Sequence, residues 1–201
     1  LSGFNFVTEA VMPKGWTWKK EDWVNIKDIC VKNGFSKFYT YPHLPFWKKM
    51  YYNFVLRSEV VQLLNYVRYD KAEAKNLLME KFDWKDYGGK HFESVFTRFY
   101  QSYILPEKFE IDKRKAHLSN LILSGQITRS EALEEIVKPI CEEAQLEEDK
   151  IYVLKKLGFS QNEFNTIMHF KPVPHSNYRT ESNYWNNYFK FIKILKKVTF
   201  R

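Results

Sequence analysis

From residue 92 onward, apolar positions recur every three or four residues, the pattern of helices that bury one face. Phe92, Val95, Phe96, Phe99 and Tyr103 fall at i, i+3, i+4, i+7 and i+11 and form one stripe; Pro106 ends that helix or opens the connection after it. Asp112 caps the run "KRKAHLSNLILSG", and Gly125 stops it. Thr128 with Glu131 and Ser160 with Glu163 are capping boxes, opening "RSEALEEIVK" and "QNEFNTIMH". Another helix spans about 146–157 and ends at Gly158, "KPVPHSNYRTES" is a loop, and a last helix runs from about 183 to 198.

The first third reads differently. "FNFVTEAVMPKGW", Phe4 to Trp16, begins with apolar–polar alternation and closes on a Pro/Gly loop, which predicts the end of a strand and a connecting loop. Trp23, Ile26, Ile29 and Cys30 give residues 19–33 a helical period that Gly34 stops. Residues 36–58 are aromatic and hold Pro42 and Pro45, so a loop and a short helix are expected. "VVQLLNYVRY", Val60 to Tyr69, is the best strand candidate, and Asp70 then caps the helix "KAEAKNLLMEKF". The pattern therefore predicts a mainly α-helical chain with a small parallel β remnant near its N-terminus. That remnant is either an appendage or the back half of a larger α/β protein. No fixed-period repeat is present, which argues against a solenoid.

Composition sharpens this picture. At 201 residues and 44% hydrophobic, the chain can bury a sizeable core, and 18% aromatic content argues against disorder. The net charge is +8, of which residues 183–201 supply +5 through Lys190, Lys193, Lys196, Lys197 and Arg201. The remaining +3 is spread thinly, so the body does not read as a nucleic-acid binder. The terminal helix puts Tyr184, Tyr188, Phe191, Ile192 and Leu195 on one side and lysines on the other. Such a helix docks on its own domain, or lies on an anionic membrane or RNA. Cys30 and Cys141 read as free thiols of a reducing cytosol, with no Cys/His cluster to suggest zinc. No signal peptide and no apolar run long enough to cross a membrane are visible.

Two stretches carry candidate chemistry. In "DYGGKHFESVFTRF" the pair Gly88-Gly89 precedes Lys90, His91 and a helix-like run containing Arg98. Glycines let a ligand approach the backbone, and a helix start favours an anion; the alternative is a tight turn before a core helix. In "IDKRKAHLS" the cations Lys113, Arg114 and Lys115 crowd a helix start, where each opposes the macrodipole by about 0.3–1 kcal/mol if exposed. Neighbouring acids such as Glu107 and Glu110 offset that cost, or a bound polyanion does. His117 lies on the same face as Lys113 and is placed to donate to the anion or to transfer a proton. Asn5, Thr8 and Glu9 stand at the expected strand end, where open α/β sheets bind ligands. No GxSxG, HExxH, Walker A or Rossmann glycine pattern occurs.

The block "DYGGKHFESVFTRFYQSYILPEKFEIDKRKAHLSNLILSGQITRSEALEEI", residues 86–136, closely resembles the C-terminal region of the N-acetyl sugar amidotransferases, PP-loop ATPases of surface-polysaccharide biosynthesis. "GFNFVTEAVMPKGW", "LNYVRYDKAEA", "EEDKIYVLKKLGFSQNEFNTIM" and "KPVPHSNY" fit the same pattern in order, so the resemblance spans about residues 3–178. It implies an α/β fold of the adenine nucleotide alpha hydrolase-like class, with residues 1–70 closing the nucleotide-binding core and 71–201 forming a helical domain. It implies a cytoplasmic enzyme of lipopolysaccharide or O-antigen sugar synthesis that uses ATP with Mg2+. Adenylation of an acetamido oxygen on a nucleotide-linked N-acetyl sugar, then attack by ammonia from a glutaminase subunit, would leave an acetamidino group. On this reading Lys90, His91, Arg98, Lys113, Arg114 and Lys115 are candidates for phosphate contacts. Asn5, Thr8 and Glu93 are candidates for the substrate, and His117 and Glu9 for catalysis. The family's SGG-x-DS motif is absent, so an N-terminal PP-loop half is expected as a partner and this chain alone is expected to be inactive. Nucleic acid is not an expected partner, and any membrane contact is expected to be peripheral, through residues 183–201. The alternative is a basic helical module that binds nucleic acid or protein without catalysis.

Overall fold

The computed structural model describes residues 1–90 and 92–199, with side chains through Lys193. Eleven α-helices are described: α1 (Phe6–Glu9), α2 (Trp23–Lys32), α3 (Phe46–Phe54), α4 (Lys71–Phe82), α5 (Val95–Phe99), α6 (Leu105–Phe109), α7 (Arg114–Leu123), α8 (Arg129–Ile136), α9 (Glu143–Leu157), α10 (Gln161–His169) and α11 (Ser182–Thr199). The chain divides into two compact units. Unit 1 holds Leu1–Trp16 and Val61–Pro172; unit 2 holds Thr17–Val60 and Val173–Arg201.

The helical expectation holds and the strands do not form. Among the described residues the β pairing is a single parallel bridge, Ser2 to Gln62, with Ser2 N donating to Val61 O at 2.8 Å. The expected strand end at residues 4–9 is instead the short helix α1, because Asn5 Oδ1 accepts from Thr8 N at 2.9 Å and caps a turn. The expected strand Val60–Tyr69 turns into a 3-10 helix at Leu63–Asn65, with Val60, Tyr66 and Val67 exposed. Alternation predicts a strand only where neighbours exist to complete the ladder. Here side-chain amides take the place of neighbouring strands. Buried Asn120 on α7 accepts from Val11 N at 2.7 Å and donates to Val11 O at 3.2 Å. Gln126 accepts from Lys71 N at 3.0 Å and donates to Tyr69 O at 3.2 Å. Both N-terminal segments are thus held against α7 by two-point amide–backbone bonds.

The core of unit 1 is Phe99, Val153, Leu154 and Phe164, from α5, α9 and α10, with Val95, Tyr103, Ile104, Leu146 and Met168 packed around it. Most of the sequence-derived stripe is confirmed, but Phe96 stays about half exposed. The helix also does not end at Pro106. It runs from α5 through a π-helical segment, Tyr100–Ile104, into α6 with Pro106 inside it. Proline cannot donate to the carbonyl four residues back, and its ring crowds that carbonyl. A locally wider winding, in which Leu105 N donates to Tyr100 O, accommodates this.

Unit 2 packs α2, α3 and α11. Phe46 is buried with its ring 5.0 Å from that of Trp185. Asp22 caps α2 at Asn25 N and also accepts from Glu181 N at 2.8 Å. Glu181 is fully buried and pairs at 3.3 Å with Lys49, whose ammonium donates to Glu21 O as well.

Replacing Asn120 with alanine strands the Val11 N–H and C=O without partners. The expected loss is about 2 kcal/mol, read as a fall of roughly 5 °C in a thermal melt. An unchanged melting curve would show that the clamp does not hold α1 in place.

Candidate functional site

Two adjoining cavities in unit 1 share Lys71, Gly88, Gly89, Lys90 and His117 among their lining residues. The larger, about 960 Å3, adds Arg98, Lys113, Arg114 and Cys141. The smaller, about 330 Å3, adds Asn5, Thr8, Glu9 and Tyr69. Residues separated by more than a hundred positions in sequence therefore converge on one region. The Asn120 and Gln126 bonds carry α1 and the start of α4 to it.

The Gly88-Gly89 pair is explained by local packing. Gly88 has a φ of 84°, in the left-handed region, and its N–H donates to Asp86 Oδ1. At Gly89 a Cβ would lie 2.7 Å from the Phe92 ring. The turn forms a rim of both cavities but does not lead straight into a helix start. α5 begins at Val95, with Ser94 as its cap. His91 lies outside the described residues.

The cations predicted from sequence meet different fates. Lys90 Nζ pairs with Glu9 Oε1 at 2.5 Å, joining two candidates at the cavity edge. Arg98 forks onto Asp149, at 2.6 Å from Nε and 2.7 Å from Nη2, with Asp149 only 2% exposed. That hydrogen-bonded carboxylate holds the guanidinium pKa above its ordinary value. Arg114 is bonded to Asp112 and to the carbonyls of Glu135, Ile136 and Lys138. Its position at the start of α7 is unfavourable, but its guanidinium sits at the negative end of α8, where a cation is favoured. The acid that pairs with it is Asp112, not Glu107 or Glu110. The residue directly before α7 is Lys113, whose side chain makes no cap bond; Asp112, one position earlier, accepts from Arg114 N at 2.9 Å. Lys113 and His117 remain on the cavity wall. Lys115 and Glu93 are exposed and line neither cavity.

The residue that sequence reading missed is Lys71. It was read only as the first residue of a helix, yet it lines both cavities. Burial lowers its pKa below the ordinary 10.5, and the nearby charges of Lys75 and Lys90 lower it further. Asp86 offsets this only in part, being bonded to Lys75. The Lys71 ammonium has no hydrogen bond or ion pair among the described residues. Tyr69, two positions earlier, has its pKa raised by burial and then by Glu9 and Asp70. Cys141 is pushed up by burial beside Asp149. The available signal for Lys71 was its place directly after a capping aspartate, but only the fold shows which way that helix start faces. No group of three or more His, Cys, Asp or Glu close enough to hold a metal occurs among the described residues.

Two substitutions separate scaffold from site. Asp149→Asn leaves Arg98 without its counter-charge and is expected to cost about 3 kcal/mol, while the double variant Arg98→Met/Asp149→Leu costs less than that single change. Denaturant melts check both, and a double variant that loses as much as the single change or more would show that the unpaired charge is not what costs stability. Lys71→Met removes a partly desolvated, repelled charge and is expected to raise the melting temperature by on the order of 2 °C. A fall would mean that the ammonium stabilises the fold.

The family model described as LPS biosynthesis protein WbpG-like, C-terminal domain, matches residues 93–195. No curated protein and no solved structure matches the chain. The match covers α5 to α10 and most of α11, and with them the Arg98, Lys113 and His117 wall of the larger cavity, and it agrees with the resemblance drawn from residues 86–136. The chain belongs to the WbpG-like family of LPS biosynthesis proteins.

Proposed function

We propose that this chain is the C-terminal part of an ATP-dependent sugar amidotransferase that converts the N-acetyl group of a nucleotide-linked sugar into an acetamidino group. The observation that carries the reading is the convergence of Lys71, Lys90, Lys113 and His117 on adjoining cavities in a chain of an LPS-biosynthesis family. A partly buried ammonium such as that of Lys71 is stabilised by an anion, and a phosphorylated sugar or a departing pyrophosphate is an anion of the right class. ATP would supply adenylation of the acetamido oxygen, which turns that oxygen into a leaving group. The residues present fit the phosphate end of such a reactant. The SGG-x-DS motif is not in this sequence, and no carboxylate cluster for Mg2+ occurs among the described residues.

Within that reading the chain's own groups have separable parts. Lys71 and Lys113 neutralise phosphate charge in a partly desolvated cavity, where each contact is stronger than in water. His117, on the same wall, holds or accepts a proton as ammonia adds. Glu9 orients Lys90 and limits its reach. Asn5 is committed to capping α1 and also accepts from the Thr8 hydroxyl, so Thr8 and Glu9 would meet a substrate through the acceptor capacity that remains to them. Arg98 and Arg114 hold the wall rather than the ligand. Residues 1–70 as the close of a nucleotide-binding core, the α/β PP-loop fold, a glutaminase as ammonia source and a cytoplasmic setting belong to this same reading.

Titration calorimetry of the chain with pyrophosphate tests it. Lys113→Ala is expected to weaken binding at least tenfold, about 1.4 kcal/mol, and exposed Lys155→Ala to leave it unchanged. No binding by the parent chain, or equal loss in both variants, would overturn the polyanion role.

A further inference from the structure

The chain's positive charge is not spread thinly. Unit 2 carries fourteen Lys and Arg against five Asp and Glu, a net +9, while unit 1 nets −1, which together give +8. The same unit contains a helix turned inside out. α3 buries Phe46 and the charged Lys49, and exposes Trp47 (74%), Tyr51 (50%), Phe54 (56%) and, just past its end, Val55 (64%). These four stand at i, i+4, i+7 and i+8, one face of one helix. A helix folding only onto its own domain places its aromatics inward and its lysine outward. Here Lys49 is kept inside by Glu181 and by Glu21 O, and the aromatic stripe faces solvent. The patch continues onto α11: the Phe54 ring lies 6.0 Å from Tyr188, and Tyr188 lies 5.4 Å from Phe189. Phe189 and Phe191 remain exposed beside Lys190 and Lys193.

We propose that this face of unit 2 docks on an anionic phospholipid surface, with the α3 stripe seated at the level of the headgroups. Trp and Tyr prefer that level because their rings are apolar at one end and polar at the other. Lysines reach along apolar surface to the lipid phosphates, and a net charge of this size draws the unit to a negative surface. No helix of the described residues is long and apolar enough to cross a bilayer, so the stripe lies in the interface plane. Eleven of the fourteen cations are lysine, and aliphatic Val55 and Leu56 continue the stripe. Aliphatic groups gain from hydrocarbon but not from stacking on bases, which favours lipid over RNA. The sequence placed membrane contact on residues 183–201. The structure gives the leading role to α3, because the α11 residues Trp185 and Tyr184 are partly spent against Phe46.

Co-sedimentation of the whole chain with vesicles tests this. Binding is expected to vesicles in which about a third of the lipid is phosphatidylglycerol, not to pure phosphatidylcholine, and to fall as salt rises. The triple variant Trp47→Ser/Tyr51→Ser/Phe54→Ser should lose at least tenfold in partitioning with an unchanged far-UV spectrum, because these side chains face solvent. Three results would overturn the proposal: no binding to the anionic vesicles, equal binding by the variant, or a variant that instead loses self-association or RNA binding. Should the triple variant unfold, Trp47→Ser alone carries the test, with a loss of at least threefold expected.

Discussion

Two side-chain amides determine where the chemistry of unit 1 can be. Asn120 and Gln126 each offer one acceptor and one donor, the same pair that a neighbouring strand would present to a backbone. They take up Val11 and the Tyr69–Lys71 segment, which would otherwise carry unsatisfied backbone groups against a helical body. Because both amides belong to α7 or the turn after it, the segments they hold end up beside His117 and Lys113. The cavities are therefore a consequence of how two non-strand segments satisfy their hydrogen bonds. Thr8, Glu9, Tyr69 and Lys71 lie in the segments that this device holds.

Much of the helical layout was legible because its signals are local. Both capping boxes form as read, with Thr128 and Glu131, and Ser160 and Glu163, each bonding the other's backbone N–H. Gly158 stops α9 in the left-handed conformation. The strands were misread because alternation says nothing about whether partners exist. Pro106 was misread because tolerance of a proline depends on the helix widening before it. Lys71 was invisible for a third reason: its significance lies in what surrounds it, and burial and neighbouring charge are not properties of a position in a sequence.

The cations at the start of α7 show how far a charge argument from sequence can reach. The unfavourable placement is real, and it demands compensation. For Arg114 the compensation is Asp112 and the carbonyl end of α8, a partner more than twenty residues away. A rule that looks only at the helix carrying the cation could not find it. Lys113, one position before, lines the larger cavity.

Four partly or fully buried cations among the described residues have a carboxylate partner. Arg98 has Asp149, Lys49 has Glu181, Lys90 has Glu9, and Arg114 has Asp112. Lys71 is partly desolvated and lies near Lys75 and Lys90, with Asp86 offsetting them only in part, so it retains a cost that an apolar side chain would remove. Under the proposed function, an anion entering the cavities would relieve that repulsion. The Lys49–Glu181 pair shows the other outcome, a buried lysine neutralised by a buried carboxylate.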